Sequence, residues 1–114
     1  MSKLVYIASP YSSGDDMVQH HRYKMVRDFT AKVMMAGEVV PFSPIVHCHD
    51  MALHWDMPKT YDFWLHVNEV MLRHCDELWV YKLRGWDSSC GVAAEVEYAG
   101  KIHIPVIYKE DESC

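Results

Sequence analysis

The sequence predicts an α/β fold carried on a mostly parallel sheet of four or five strands. Three observations predict it. Four short runs of strand-forming residues are spread along 114 residues, at 3–8, 38–42, 77–82 and within 102–108. The stretches between them carry apolar residues at helical spacing or are rich in turn formers. Strand and helix therefore alternate, and alternating elements build parallel sheets covered on both faces. Hydrophobic residues make up 50% of the chain, enough to bury a real core, and the length fits one domain over residues 1–114.

Each element has a local reason. Lys3–Ala8 (KLVYIA) is apolar and runs into Ser9-Pro10-Tyr11-Ser12-Ser13-Gly14, a cluster of turn residues. Asp15 and Asp16 suit the first turn of a helix, where carboxylates meet the positive end of the dipole. Val18, Met25, Val26, Phe29 and Val33 recur at roughly helical spacing towards Ala36, and Gly37 is a natural stop. Residues 38–42 (EVVPF) read as a second strand, with Pro41 marking its end or an edge. Residues 43–59 hold two prolines, three histidines and Trp55 and read as a long irregular loop, the place where a fifth strand could hide.

Thr60 suits the cap of a helix over residues 61–74, with Phe63, Val67, Val70 and Met71 on its apolar face. ELWVYK at 77–82 is the third clear strand, with Trp79 in the core. A turn-rich loop follows at 83–90, then a short helix at 91–100 with small residues on one side, then the last strand and a polar tail.

The formal net charge is −5, from 11 basic and 16 acidic residues. That balance argues against a nucleic-acid polymer as partner, which needs a basic face, and leaves room for a small anionic ligand. Cys48, Cys75, Cys90 and Cys114 show no close pair of zinc-knuckle type. Met-Ser-Lys leads directly into a strand-like run, and no apolar stretch approaches the ~18 residues of a membrane span. The expectation is a reduced cytoplasmic protein with free thiols and no membrane association.

Ligands on open parallel sheets bind beyond the carboxyl ends of the strands. Residues 9–14, 43–59 and 83–90 fall there. The most informative stretch is Gly85-Trp86-Asp87-Ser88-Ser89-Cys90-Gly91-Val92-Ala93-Ala94-Glu95. Backbone amides and serine hydroxyls where a strand feeds a helix form an anion site. Glu95 lies about one turn into the helix, where its side chain can point back towards the strand ends. By local pattern alone it is either a solvated helix glutamate or a nucleophile or base.

Three motifs, in order, are similar to those of the nucleoside 2-deoxyribosyltransferase-like superfamily, in particular its short bacterial and phage branches. They are Tyr6-Ile7-Ala8-Ser9-Pro10, Cys75-Asp76-Glu77-Leu78, and Gly85-Trp86 followed by Ser89, Gly91 and Glu95. The resemblance spans nearly the whole chain. It implies a three-layer flavodoxin-like sandwich of strand order 2-1-3-4, or an extension of it. It also implies a homodimer or higher homo-oligomer, because such sites often borrow residues from a neighbouring subunit.

The resemblance implies that Glu95 attacks the anomeric carbon and expels the base, and that Tyr6 holds the carboxylate. A water or a second base then resolves the covalent sugar. No cofactor and no metal are implied. Ser89 stands where the transferases carry an aspartate and where the deoxynucleoside-monophosphate hydrolases, their relatives, carry a phosphate-binding serine. A neutral donor there removes repulsion and favours a nucleotide over a nucleoside. Ser88 and Gly91 would add donors, and Ser9, Ser12, Ser13 and Gly14 would close the phosphate site from the first loop.

One departure stands out. Asn68 lies eight residues before Asp76, where the family usually has an aspartate that handles protons on the base. An amide can hydrogen-bond a base but cannot shuttle a proton. Asp62, Glu69 or a histidine would have to substitute, or the activity is altered or lost. Asp76 itself reads as a structural residue of the helix-to-strand turn. His47, His49 and Trp55 are expected to touch or stack on the base, and Trp86 to shape the pocket or simply pack. Two alternatives remain from the sequence: a catalytically silent nucleotide-binding or sensor module, and a metal-dependent hydrolase using His47 and His49.

Overall fold

The computed structural model describes residues 2–58 and 61–112, with Tyr61 described in its backbone only. Thr60 and Cys114, each given a role above, lie outside the described residues. The chain runs β1 (Lys3–Ala8), α1 (Asp16–Ala36), β2 (Val39–Phe42), α2 (Pro44–His54), α3 (Tyr61–Arg73), β3 (Glu77–Tyr81), a 3₁₀ turn (Trp86–Ser88), α4 (Cys90–Lys101) and β4 (Val106–Lys109). The four strands form one sheet in the order β2-β1-β3-β4, and every pairing is parallel. Helices cover both faces, so the architecture is the expected three-layer, flavodoxin-like α/β sandwich.

The alternation of β1 sorts the core into two layers. Tyr6 and Ala8 face one side and join Leu78, Val80, Leu72 and Cys75, with Val92 and Ala99 from α4. Val5 and Ile7 face the other and join Val26, Tyr81 and Leu83, with Phe29, Ile45 and Val46 packed around them. Both faces of β1 are buried, as a central parallel strand requires. Pro41 sits in β2, an edge strand, where a missing N–H is tolerated. Trp79 is less enclosed than expected. It is partly buried on the α1 face, with Lys109 Nζ 4.1 Å from its ring centroid.

The caps explain the helix bounds. Asp15 Oδ1 accepts from Met17 N at 2.8 Å at the start of α1. Gly37, at φ 76°, lets its N–H return to Met34 O at the end. Asp76 holds the junction before β3: its Oδ2 accepts from Leu4 N at 2.7 Å, and its own N–H donates to Leu4 O at 2.7 Å.

The main correction concerns residues 43–59. Most of that stretch is helix, not loop: α2 starts at Pro44 behind Ser43, whose hydroxyl accepts from Val46 N at 3.2 Å. Proline at the first helical position after a serine cap is a start signal. The composition of the stretch, rich in proline and histidine, points to a loop, whereas the position of Pro44 directly behind Ser43 starts a helix. A fifth strand is therefore absent among the described residues, and α2 lies where β2 leaves the sheet. No helix among them is long and apolar enough to cross a membrane.

Candidate active site

On α4, Val92, Glu95 and Ala99 share one stripe at helical spacing. Val92 and Ala99 are buried in the core cluster that contains Tyr6. Glu95 therefore points inward, and its Oε2 accepts the hydroxyl proton of Tyr6, which is 0% exposed. Burial pushes the Glu95 carboxyl up from 4.5 to about 7, and the Tyr6 hydrogen bond pulls against that rise. Burial, and then the charge of Glu95, raise the Tyr6 phenol well above its usual value. At neutral pH the pair is thus a protonated phenol beside a carboxyl poised between its two forms. Among the described residues Glu95 Oε1 accepts no hydrogen bond, which leaves one carboxylate oxygen for chemistry.

The turn into α4 carries the serines. Ser89 caps the helix, its Oγ accepting from Val92 N at 3.2 Å, and its own hydroxyl proton remains a donor. Ser88 Oγ turns back to Gly85 O at 3.3 Å. Gly91 is exposed in the first turn. In the first loop Ser9 is buried, 6% exposed, and its hydroxyl has no partner among the described residues. Ser13 Oγ accepts from Asp15 N at 3.1 Å, and Ser12 and Gly14 are exposed.

Not every expected residue converges. Trp55 ends α2 at 73% exposure, with no ring contact among the described residues, so helix formation carries it outward. His47 is exposed and tilts against Phe42 at 5.7 Å between ring centroids. Phe42 in turn tilts against Tyr6 at 6.0 Å. His49 points elsewhere: two positions apart on a helix, the two histidines face different sides. It is buried, stacked on Tyr23 at 3.8 Å, with Nδ1 2.7 Å from Tyr11 Oη. Burial, and then His20, lower its pKa. A helical α2 thereby splits the histidine pair that suggested a metal. Among the described residues no three His, Cys, Asp or Glu side chains are grouped to hold one. Cys48, Cys75 and Cys90 are free thiols.

Asn68 is partly buried on α3, on the face that carries Leu65, Met71 and Leu72, and no hydrogen bond joins it to Glu95 among the described residues. Trp86 packs at the edge of the core and tilts against Tyr108 at 5.6 Å. With Ser89, Val92, Ala93 and Val96 these two line a surface cavity of about 310 Å³. A second cavity, about 160 Å³, lies between α3 and α4 along Leu65, Glu69, Ala94 and Tyr98. Neither is lined by Glu95, Tyr6 or Asn68, so Trp86 and Ser89 border a depression on a different flank of α4 from the carboxylate.

A family model described as a domain of unknown function (DUF1937) matches residues 3–111. The chain belongs to the DUF1937 family. A comparison with curated proteins found no match. The DUF1937 match runs from β1 past β4 and so includes Tyr6, Asn68, the serine turn and Glu95.

Two residues of this DUF1937 chain had no signal in the sequence. Phe42 tilts against the Tyr6 ring, and only the meeting of β1 and β2 reveals it. Arg22, on α1, donates from Nη1 to Ser12 O at 2.8 Å, and its Nη2 lies 2.7 Å from where a Cβ on Gly85 would stand. It bonds the first loop and lies beside the loop after β3, two segments far apart in sequence.

Proposed function

We propose that this DUF1937 chain cleaves, or exchanges, the N-glycosidic bond of a (deoxy)nucleoside 5′-monophosphate or nucleoside through a covalent glycosyl–Glu95 intermediate. The reading rests on the Tyr6–Glu95 pair together with the resemblance to the nucleoside 2-deoxyribosyltransferase-like superfamily. A carboxylate raised to about 7 by burial and steered by one phenol is suited to attack an electron-poor carbon. Glu95 Oε1 bonds to C1′ as the C1′–N bond breaks, and the base leaves with the electron pair and takes a proton from solvent water. Water or a second base then attacks C1′ and frees the carboxylate. The oxocarbenium-like transition state is that of retaining glycosidases, where a carboxylate serves as nucleophile.

Asn68 supports a second reading. Its amide cannot supply a proton to the departing base, so a nucleotide-binding or sensing module without turnover is the alternative. In either case the chain acts on small molecules in the cytoplasm, as a homo-oligomer.

Free-base release from a panel of nucleosides and their 5′-monophosphates, followed by chromatography, tests the enzyme reading. Release by the parent protein, and its loss in Glu95→Ala, supports it. Equal release by both proteins contradicts it, and tight binding with no release selects the sensor.

A further inference from the structure

Two polar side chains with donors to spare, Arg22 and Ser9, belong to the end of the sheet where β1 and β3 give way to their loops. The chain steps from β1 to the outer strand β2 and then crosses back to β3, so the sheet order reverses between β1 and β3. In open α/β sheets the crevice at such a reversal, beyond the carboxyl ends, is where ligands sit. Arg22 reaches that crevice from α1. Its Nη1 holds the loop after β1 through Ser12 O at 2.8 Å, and its Nη2 lies against Gly85 in the loop after β3. Gly85 has φ 96°, and a side chain there would meet the guanidinium at 2.7 Å.

Arg22 is half-buried yet forms no ion pair among the described residues, whereas Arg27 on the same helix is exposed and paired with Asp28 at 3.0 Å. A guanidinium has five donors, and one hydrogen bond from Arg22 is present here. The Asp15 carboxylate, at the start of the same helix, caps Met17 N. At the same end of β1, the Ser9 hydroxyl is 6% exposed and without a partner. The buried Ser9 hydroxyl is costly to leave without a partner, and the remaining Arg22 donors are open to solvent, where a ligand can reach them.

We infer that Arg22 is the anion anchor of the site and binds the phosphate monoester of a nucleoside 5′-monophosphate. The inference rests on the nucleotide reading above and deepens it. The planar fork pairs with two phosphate oxygens while the backbone contact to Ser12 fixes its angle. Gly85 is glycine because its φ of 96° strains any other residue, and the Arg22 fork lies in the space beside it.

The test uses Arg22→Met and Arg22→Lys beside the parent. Two readouts are taken: KM for a deoxynucleoside 5′-monophosphate against its bare nucleoside, and the rise in melting temperature caused by inorganic phosphate over chloride at equal ionic strength. Arg22→Met is expected to raise KM for the monophosphate roughly 10- to 100-fold, with the bare nucleoside changed less than about threefold. It also loses the phosphate-induced stabilisation, and Arg22→Lys lies between.

If Arg22→Met does not fold, Arg22→Lys carries the same comparison. Equal losses on both substrates would mean that Arg22 only staples the loops, and would overturn the assignment. So would a parent protein that phosphate stabilises no more than chloride. A parent that releases no base but is stabilised by phosphate, with the effect lost in Arg22→Met, defeats the glycosidic reading and upholds Arg22.

Discussion

Tyr6 and Tyr81 stand on neighbouring strands, each buried and each hydrogen-bonded to a carboxylate, yet the two pairs differ in kind. Tyr81 faces the α1 layer, stacks on Phe29 at 4.1 Å, and donates to Asp111 Oδ1 at 2.7 Å. That bond fastens the segment after β4 to the sheet. Tyr6 faces the α4 layer and holds Glu95, a carboxylate that α4 turns into the core. A polar pair in the core, with its acid pushed up to about 7, weakens the fold unless something uses it. The contrast separates a fastening from a site.

The largest expected effect breaks the pair at its acid. Glu95→Gln keeps the shape and removes the nucleophile, and base release is expected to fall at least ~10³-fold. Tyr6→Phe comes next. It removes the bond that holds the Glu95 carboxyl down, so the carboxyl rises further. Base release should fall roughly 10- to 100-fold near neutrality, and its rise with pH, set near 7 in the parent, should move to higher pH.

Stability gives a third test with a definite sign. The folded Glu95 carboxyl lies above its unfolded value, so it contributes most to stability at low pH. That contribution is lost as pH climbs from 4.5 through about 7. Denaturant titrations should therefore find Glu95→Gln gaining on the parent across that window, by roughly 1–3 kcal/mol, with no further gain above it. The smallest effect belongs to the fastening. Tyr81→Phe should cost about 1 kcal/mol of stability and leave base release within about twofold; a large loss of activity would erase the distinction between the two tyrosines.

Much of this was legible in the sequence. Strand runs and turn clusters foretold four parallel strands, and the Val92–Glu95–Ala99 spacing is enough to aim Glu95 inward once α4 is known to pack on the sheet. Residues 43–59 were misread because Ser43-Pro44 is both a turn signal and a helix start, and only packing of Ile45 and Val46 beside α1 decides between them. With α2 helical, His47 and His49 part company and Trp55 turns to solvent. Arg22 was illegible for another reason. Its meaning lies in Ser12 and Gly85, ten and sixty-three positions away in the chain, and no local pattern encodes such a meeting.

The central claim is that Glu95 bonds to the sugar. Rapid acid quenching during turnover, followed by mass spectrometry of the α4 peptide, tests it most directly. The account predicts a peptide heavier by one glycosyl or glycosyl-phosphate unit, with fragmentation placing the added mass on Glu95 and the species missing in Glu95→Gln. Base release at full rate, with the added mass on another residue or with Glu95→Gln as active as the parent, would contradict it.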